Sequence, residues 1–104
     1  MSTVPSETIR LAVTTGSVRL GYRESLRLAI RGRLKLLLVA SNLDGERARR
    51  LEEVARLSGV PLVKLSYSSR ELGSICELRH PVSVVGVRDP GVSDILRLTG
   101  NEQQ

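Results

Sequence analysis

Apolar residues along this chain follow two alternating rhythms, one helical and one extended. In residues 3–16, Ile9, Leu11, Ala12 and Val13 supply a helical face behind Pro5 and Ser6, and Gly16 is a stop signal. Residues 17–20 read as a short strand. Helical spacing returns over residues 21–32, where Leu26, Ala29 and Ile30 fall at i, i+3 and i+4 and Gly32 ends the run. Residues 34–41 (LKLLLVAS) are almost continuously apolar, as a strand covered on both faces requires. After a polar turn at 42–45, Asp44 is placed to cap a helix over 46–58, with Ala48, Leu51, Val54, Ala55 and Leu57 as its stripe and Gly59 as its end. A second buried-type strand spans 60–65, opened by Pro61. A short helix is expected over 68–76, with Leu72, Ile75 and Cys76 inward and Ser69 near its start. Residues 82–87 (VSVVGV) form a third strong strand, the DPG run at 89–91 a turn, and 93–98 a last short helix before a polar tail.

Strands separated by helices predict a three-layer α/β/α sandwich around a four-stranded sheet, with the strands mostly parallel. A flavodoxin-like doubly wound sheet is the alternative, but it needs more strands than 104 residues comfortably supply. The expectation is a single domain over 1–104, with its core in about 6–98 and a short tail at 99–104.

Composition narrows this picture. A chain that is 40% hydrophobic and 26% charged can build a core, which argues against a wholly disordered polymer. No apolar run approaches the roughly 20 residues of a membrane span, and no basic-then-apolar leader pattern opens the chain. The single cysteine excludes an internal disulfide, so an intracellular setting and no membrane partner are expected.

Charge adds more. Lys and Arg total 16 against 11 acids, a net charge of +5, and fourteen of those cations are arginine. Residues 19–35 hold six of them (Arg19, Arg23, Arg27, Arg31, Arg33, Lys35) and one acid, Glu24, so this stretch carries the whole excess. Arg19, Arg23, Arg27 and Arg31 recur every four residues, which in a helix stacks them on one face. Guanidinium forks suit phosphate oxygens, and an acidic partner is expected there.

Enzymatic chemistry finds little support, and no cofactor is expected. Gly16, Gly21 and Gly32 are too widely spaced for a phosphate-binding glycine motif, and one Cys with one His makes zinc improbable. Cys76 and His80 are four apart, but the cysteine lies on the apolar stripe of a short helix, where packing explains it. Asp89 and Asp94 read as turn and helix-start residues.

Several blocks resemble a known family: GSVRLGYRES at 16–25, AIRG at 29–32, KLLLVASN at 35–42, ARLSGVP at 55–61, ELG at 71–73 and DPGVSDIL at 89–96. In order and spacing they are similar to the archaeal and eukaryotic large-subunit ribosomal family "L-thirty-e". That family is a branch of the kink-turn RNA-binding superfamily named for "L-seven-Ae". The resemblance covers about residues 6–98. It implies an α/β/α sandwich whose four-stranded sheet is mixed, and binding of RNA sharply bent at an internal loop by three loops at one end.

The first loop would be Leu20, Gly21, Tyr22, Arg23 and Glu24, leading into the basic helix with Arg27. Gly21 would let backbone approach RNA, and Arg23 stands at a basic position of the ribosomal branch. Glu24 reads either as a first-turn acid or as the superfamily's acceptor of a guanine edge; Tyr22 reads as packing or as a stacking platform. In the second loop, Asn42 matches a family asparagine placed at the RNA, against the plain reading of a polar turn residue, and Arg47 matches a phosphate-pairing base. The third loop departs from the pattern of many family members, a glycine, then a basic residue and often proline, where this chain has Glu77, Leu78, Arg79, His80 and Pro81. Arg79 would supply the basic charge. His80 would stack on a base or serve the fold, and Val82 would meet a splayed base or begin the strand.

The resemblance thus implies a structural constituent of the large ribosomal subunit, bound to a kinked ribosomal RNA element and to neighbouring ribosomal proteins. It would be cytoplasmic on the ribosome and monomeric when free. A kink-turn adaptor in a guide-RNA modification particle, or a small nucleotide-binding enzyme, are the alternatives.

Overall fold

The computed structural model describes residues 4–102. The elements run α1 (Ser6–Thr15), β1 (Ser17–Leu20), α2 (Tyr22–Ile30), β2 (Leu36–Val39), α3 (Gly45–Ser58), β3 (Leu62–Lys64), α4 (Ser69–Ile75), β4 (Val84–Asp89) and α5 (Ile95–Glu102). Thr3, where the first helix was expected to begin, lies outside the described residues, as do residues 103–104 of the expected tail. The tail reading is otherwise corrected. The last helix continues through Thr99, which is buried and whose Oγ1 donates to the Ile95 carbonyl at 2.7 Å.

The sheet has the order β1-β4-β2-β3. Only β2 and β3 pair in parallel; β4 is antiparallel to both β1 and β2. The mostly parallel sheet expected from periodicity is therefore corrected to the mixed sheet that the family resemblance implies. β1, β2 and β3 still share one direction, and β4 enters the gap between β1 and β2 from the opposite end.

Helices cover both faces. Along β2, Leu36 and Leu38 face a cluster with Ile9, Ala12, Leu72, Ile75 and Ile95, drawn from α1, α4 and α5. Leu37 and Val39 face the other cluster, with Ala29, Leu51 and Ala55 from α2 and α3. That alternation is why all four β2 residues are buried. Three apolar residues placed on helical stripes are exposed instead: Leu11 at 41%, Ile30 at 56% and Leu57 at 73%. Ser25 of α2 is fully buried. It packs on Gly86 of β4, where an added Cβ would come within 3.1 Å of Ser25 Oγ.

Local chemistry sets the helix starts. Asp44 caps α3 by accepting from Arg47 N–H at 2.8 Å. α4 begins at Ser69, as expected, and its cap is Ser68. Ser68 Oγ accepts from Glu71 N–H, and Glu71 Oε1 accepts from Ser68 N–H, a reciprocal capping box. No described helix is long and apolar enough to cross a membrane.

Candidate nucleic-acid interface

Because β1, β2 and β3 run the same way, their carboxyl ends and the starts of α2, α3 and α4 meet at one end of the sandwich. Ligands in α/β sheets favour that end, where helix N-termini leave backbone N–H groups unpaired and the helix dipoles are positive. Hydrogen bonds lace the three loops together there. Gly21 N–H donates to the Val84 carbonyl at 2.8 Å, Ala40 N–H to Ser83 at 2.8 Å, Ser41 N–H to Tyr67 at 2.8 Å and Val82 N–H to Ser69 at 2.9 Å.

Gly21 turns the chain from β1 into α2 with φ 109 and ψ 156. That region is essentially reserved for glycine. Arg19 consequently lies in β1 and Arg31 caps the far end of α2. The expected four-arginine stack on one helix is corrected: within α2 only Arg23 and Arg27 remain. Arg33 and Lys35 follow α2 toward the opposite end of the sheet, where Arg33 lines an open cleft of about 540 Å³ with Ser17, Arg88 and Asp89.

A cleft of about 220 Å³ draws on all three loops: Leu20, Gly21 and Tyr22 from the first, Arg47 from the second, and His80, Pro81, Val82 and Ser83 from the third. Six of these were expected from the sequence. Pro81 and Ser83 were not; they join because they flank Val82. The Arg47 guanidinium carbon lies 5.2 Å from the Tyr22 ring centroid, a cation–π contact that fixes both side chains at the mouth. Asp44 sets the start of the helix that presents Arg47.

The remaining expected residues lie around this cleft. Arg23 and Glu24 occupy the exposed first turn of α2. Arg27, one turn further, is 3.8 Å from Glu24 with both side chains more than half exposed, a weak contact. Asn42 ties the second loop to α4. Its Oδ1 accepts from Ser69 N–H at 2.8 Å, and its Nδ2 donates to Ser69 Oγ at 3.3 Å. Arg79 lines an adjoining cleft that shares His80 and Pro81.

The third loop is held by two backbone features. Gly73 of α4 sits against it so closely that a Cβ there would be 2.2 Å from the His80 carbonyl oxygen. Glu77, the residue just after the α4 cap Cys76, adopts φ 63. Its N–H donates to Ser74 O at 2.9 Å, and Leu78 N–H to Gly73 O at 2.9 Å, the paired bonds of a Schellman helix end. His80 is exposed, with Nδ1 3.1 Å from the Pro81 carbonyl; a proton on Nδ1 donates there and leaves the ring face open.

The candidate enzymatic groups are occupied otherwise. Cys76 is buried, and desolvation pushes its thiol pKa up to about 11, away from a thiolate. Asp89 Oδ1 accepts from Gly91 N–H at 2.8 Å, and Asp94 pairs with Arg97 at 3.2 Å. Among the described residues no cluster of His, Cys, Asp or Glu could hold a metal ion.

Comparison with known proteins gives the family and the fold. The large ribosomal subunit protein eL30 of Methanothermobacter thermautotrophicus is 37% identical over 92 residues, spanning 88% of this chain and 94% of that protein. That of Pyrobaculum calidifontis is 36% identical over 90 residues, spanning 86% and 89%. Among solved structures, a Bacillus halodurans protein of unknown function superposes with a TM-score of 0.79 at 19% identity, over 92% of this chain and 95% of that one. The Giardia lamblia 15.5kD RNA binding protein gives 0.73 at 24% identity, over 93% and 78%. These two share the fold. The family model described as Ribosomal protein L7Ae/L30e/S12e/Gadd45 matches residues 5–97, and the chain belongs to that family.

Proposed function

We propose that this chain is a non-enzymatic, structural RNA-binding protein of the large ribosomal subunit. In this reading it is a single RNA-binding domain, monomeric when free and cytoplasmic on the ribosome. It holds a kinked ribosomal RNA element, beside neighbouring ribosomal proteins, at the end of the sandwich where the three loops meet. The observation that carries this is the cleft in which Gly21, Tyr22, Arg47, His80 and Val82 converge from separate loops. The matched archaeal relatives, named as large ribosomal subunit proteins, support the ribosomal assignment.

Each part has a physical role. Bent RNA turns bases outward, and a cleft with an apolar wall (Leu20, Pro81, Val82) beside two flat rings (Tyr22, His80) suits a splayed base. Arg23, Arg27 and Arg47 supply phosphate attraction that is independent of sequence. The first N–H groups of α2, whose cap Gly21 has no side chain, remain available to RNA acceptors. Asn42 fixes the second loop through its two bonds to Ser69 and keeps a second N–H and an oxygen lone pair for RNA.

Fluorescence anisotropy with a hairpin carrying a kinked internal loop, against a continuous duplex of equal length, tests this. Binding to the kinked RNA should be tighter and weaken steeply with salt. Equal affinity for the two RNAs would sink the reading. Arg23→Ala should lower affinity for both. His80→Ala should cost about 1–3 kcal/mol on the kinked RNA if the ring stacks on a base, and almost nothing if it serves only the loop.

A further inference from the structure

The three-loop cleft has a neighbour. Across the ridge formed by His80 and Pro81 lies a second cleft of about 350 Å³, lined also by Arg70, Ser74, Leu78 and Arg79. Arg70 and Ser74 are four residues apart on α4, so they stand one above the other on its outer face. Leu78, half-buried against the core, gives the cleft an apolar floor.

Its charge is uncompensated. Arg70 and Arg79 are exposed, and among the described residues neither has a carboxylate partner. The two nearest acids in sequence are engaged elsewhere. Glu71 Oε1 is bound to Ser68 N–H at 2.9 Å, and Glu77 Oε1 lies 3.7 Å from Arg10 Nε. Two guanidinium forks and a hydroxyl above an apolar floor match a phosphodiester joined to a ribose: the forks take phosphate oxygens, Ser74 Oγ donates to another, and Leu78 meets the sugar.

From this we infer that the second cleft binds the sugar–phosphate unit next to the base held in the first, with the strand crossing the His80–Pro81 ridge between them. The inference rests on the RNA-binding reading above and extends it to Arg70 and Ser74. It explains why His80 and Pro81 belong to both clefts. One face of the ridge supports the base, and the other directs the backbone toward the arginines.

The test uses the full chain carrying Arg70→Gln, Ser74→Ala or, as a control at the opposite end of the sheet, Arg33→Gln. Binding to the kinked hairpin is measured over a series of KCl concentrations, and thermal unfolding confirms that each variant folds. Arg70→Gln should weaken binding about tenfold, as loss of a charged hydrogen bond does, and reduce the slope of log K against log salt by about 0.7. Ser74→Ala should weaken it less, and Arg33→Gln should leave the slope near the wild-type value. Single neutral methylphosphonate substitutions around the splayed base should reveal one position that weakens the wild type but not Arg70→Gln. An unchanged slope for Arg70→Gln, equal losses for Arg70→Gln and Arg33→Gln, or the lack of such a position overturns the inference. If wild type prefers the kinked hairpin while Arg70→Gln behaves like it, the inference alone fails. If wild type shows no preference, the functional reading fails and the inference falls with it.

Discussion

Replacing Glu77 by glycine should stabilise the protein, and the reason is in the backbone. Glu77 is the residue just past the end of α4, held at φ 63 by the two closing hydrogen bonds of the helix. The left-handed conformation costs an L-residue about 1–2 kcal/mol. Glycine escapes that cost but loses more chain entropy on folding, roughly 0.5–1 kcal/mol. The ion pair forfeited with Arg10, at 3.7 Å between side chains 44% and 63% exposed, is worth only a few tenths of a kcal/mol, of order 0.3. The balance is a gain of about 0.5 kcal/mol, which for a domain of this size raises the melting temperature by roughly 2–4 °C. Differential scanning calorimetry resolves such a shift.

The decisive control is Glu77→Ala. It removes the same charge and the same ion pair but keeps a Cβ at the strained position, so it should not raise the melting temperature. If alanine stabilises as much as glycine, the gain comes from the carboxylate and the backbone reasoning is refuted. RNA binding should separate the two effects from the other side. Both variants delete a negative charge from the third loop, so both should tighten binding to the kinked hairpin equally, and more at low salt than at high.

Gly73→Ala puts a Cβ 2.2 Å from the His80 carbonyl oxygen, so α4 and the third loop must part; a loss of about 1–3 kcal/mol in denaturant unfolding is expected, with weakened RNA binding. Asn42→Ala removes both bonds to Ser69, and should cost about 1–2 kcal/mol in urea titration even without RNA. Asn42→Asp keeps the acceptor for Ser69 N–H and should cost less. Cys76 predicts an alkaline effect. The folded thiol holds its proton to about 11 against 9.0 for an ordinary thiol. Between those values the unfolded chain binds fewer protons, so stability is unaffected by this group below about pH 9 and falls as pH rises toward 11. Cys76→Ala should flatten that part of the stability profile.

Periodicity made most elements legible, because burial on one or two faces writes itself into apolar spacing. The LLLV of β2 is the clearest case, its residues pointing alternately into the two core clusters. Strand direction leaves no such mark. β4 lies between β1 and β2 because its residues fit there, as where Gly86 lets Ser25 close on the sheet, and a fit between distant residues has no local signature. Ser25 itself was invisible as a core residue because its contact requires smallness, not apolarity. The arginine spacing misled in the opposite way. A four-residue repeat looked helical from Arg19 onward, although Gly21 at φ 109 separates strand from helix within it. At the candidate site, the family resemblance implied Tyr22, Arg47 and His80, whereas nothing in the sequence singles out Arg70, which only the loop folding back beside α4 brings next to His80 and Pro81.

Chain direction, more than charge, decides which end of this molecule suits RNA. The stretch that carries the excess of five positive charges runs along α2, so it delivers Arg23 to the loop end and Arg31, Arg33 and Lys35 toward the other. Charge alone would make both ends attractive to a polyanion. The two ends differ in what surrounds the cations. At the loop end, the starts of α2 and α3, the Gly21 turn, the Tyr22–Arg47 contact and the Gly73-supported third loop give the cations fixed geometry around a cleft. At the far end, Arg33 and Arg88 line an open cleft beside the carboxylate of Asp89. In the proposed reading, general attraction therefore comes from the arginines and shape selection from the convergence of three loops, which the shared direction of β1, β2 and β3 brings about. Substitutions of the cleft's rings, such as His80→Ala, should alter the preference for kinked RNA over duplex, whereas Arg23→Ala should lower the two affinities together and Arg33→Gln should leave both near the wild-type values.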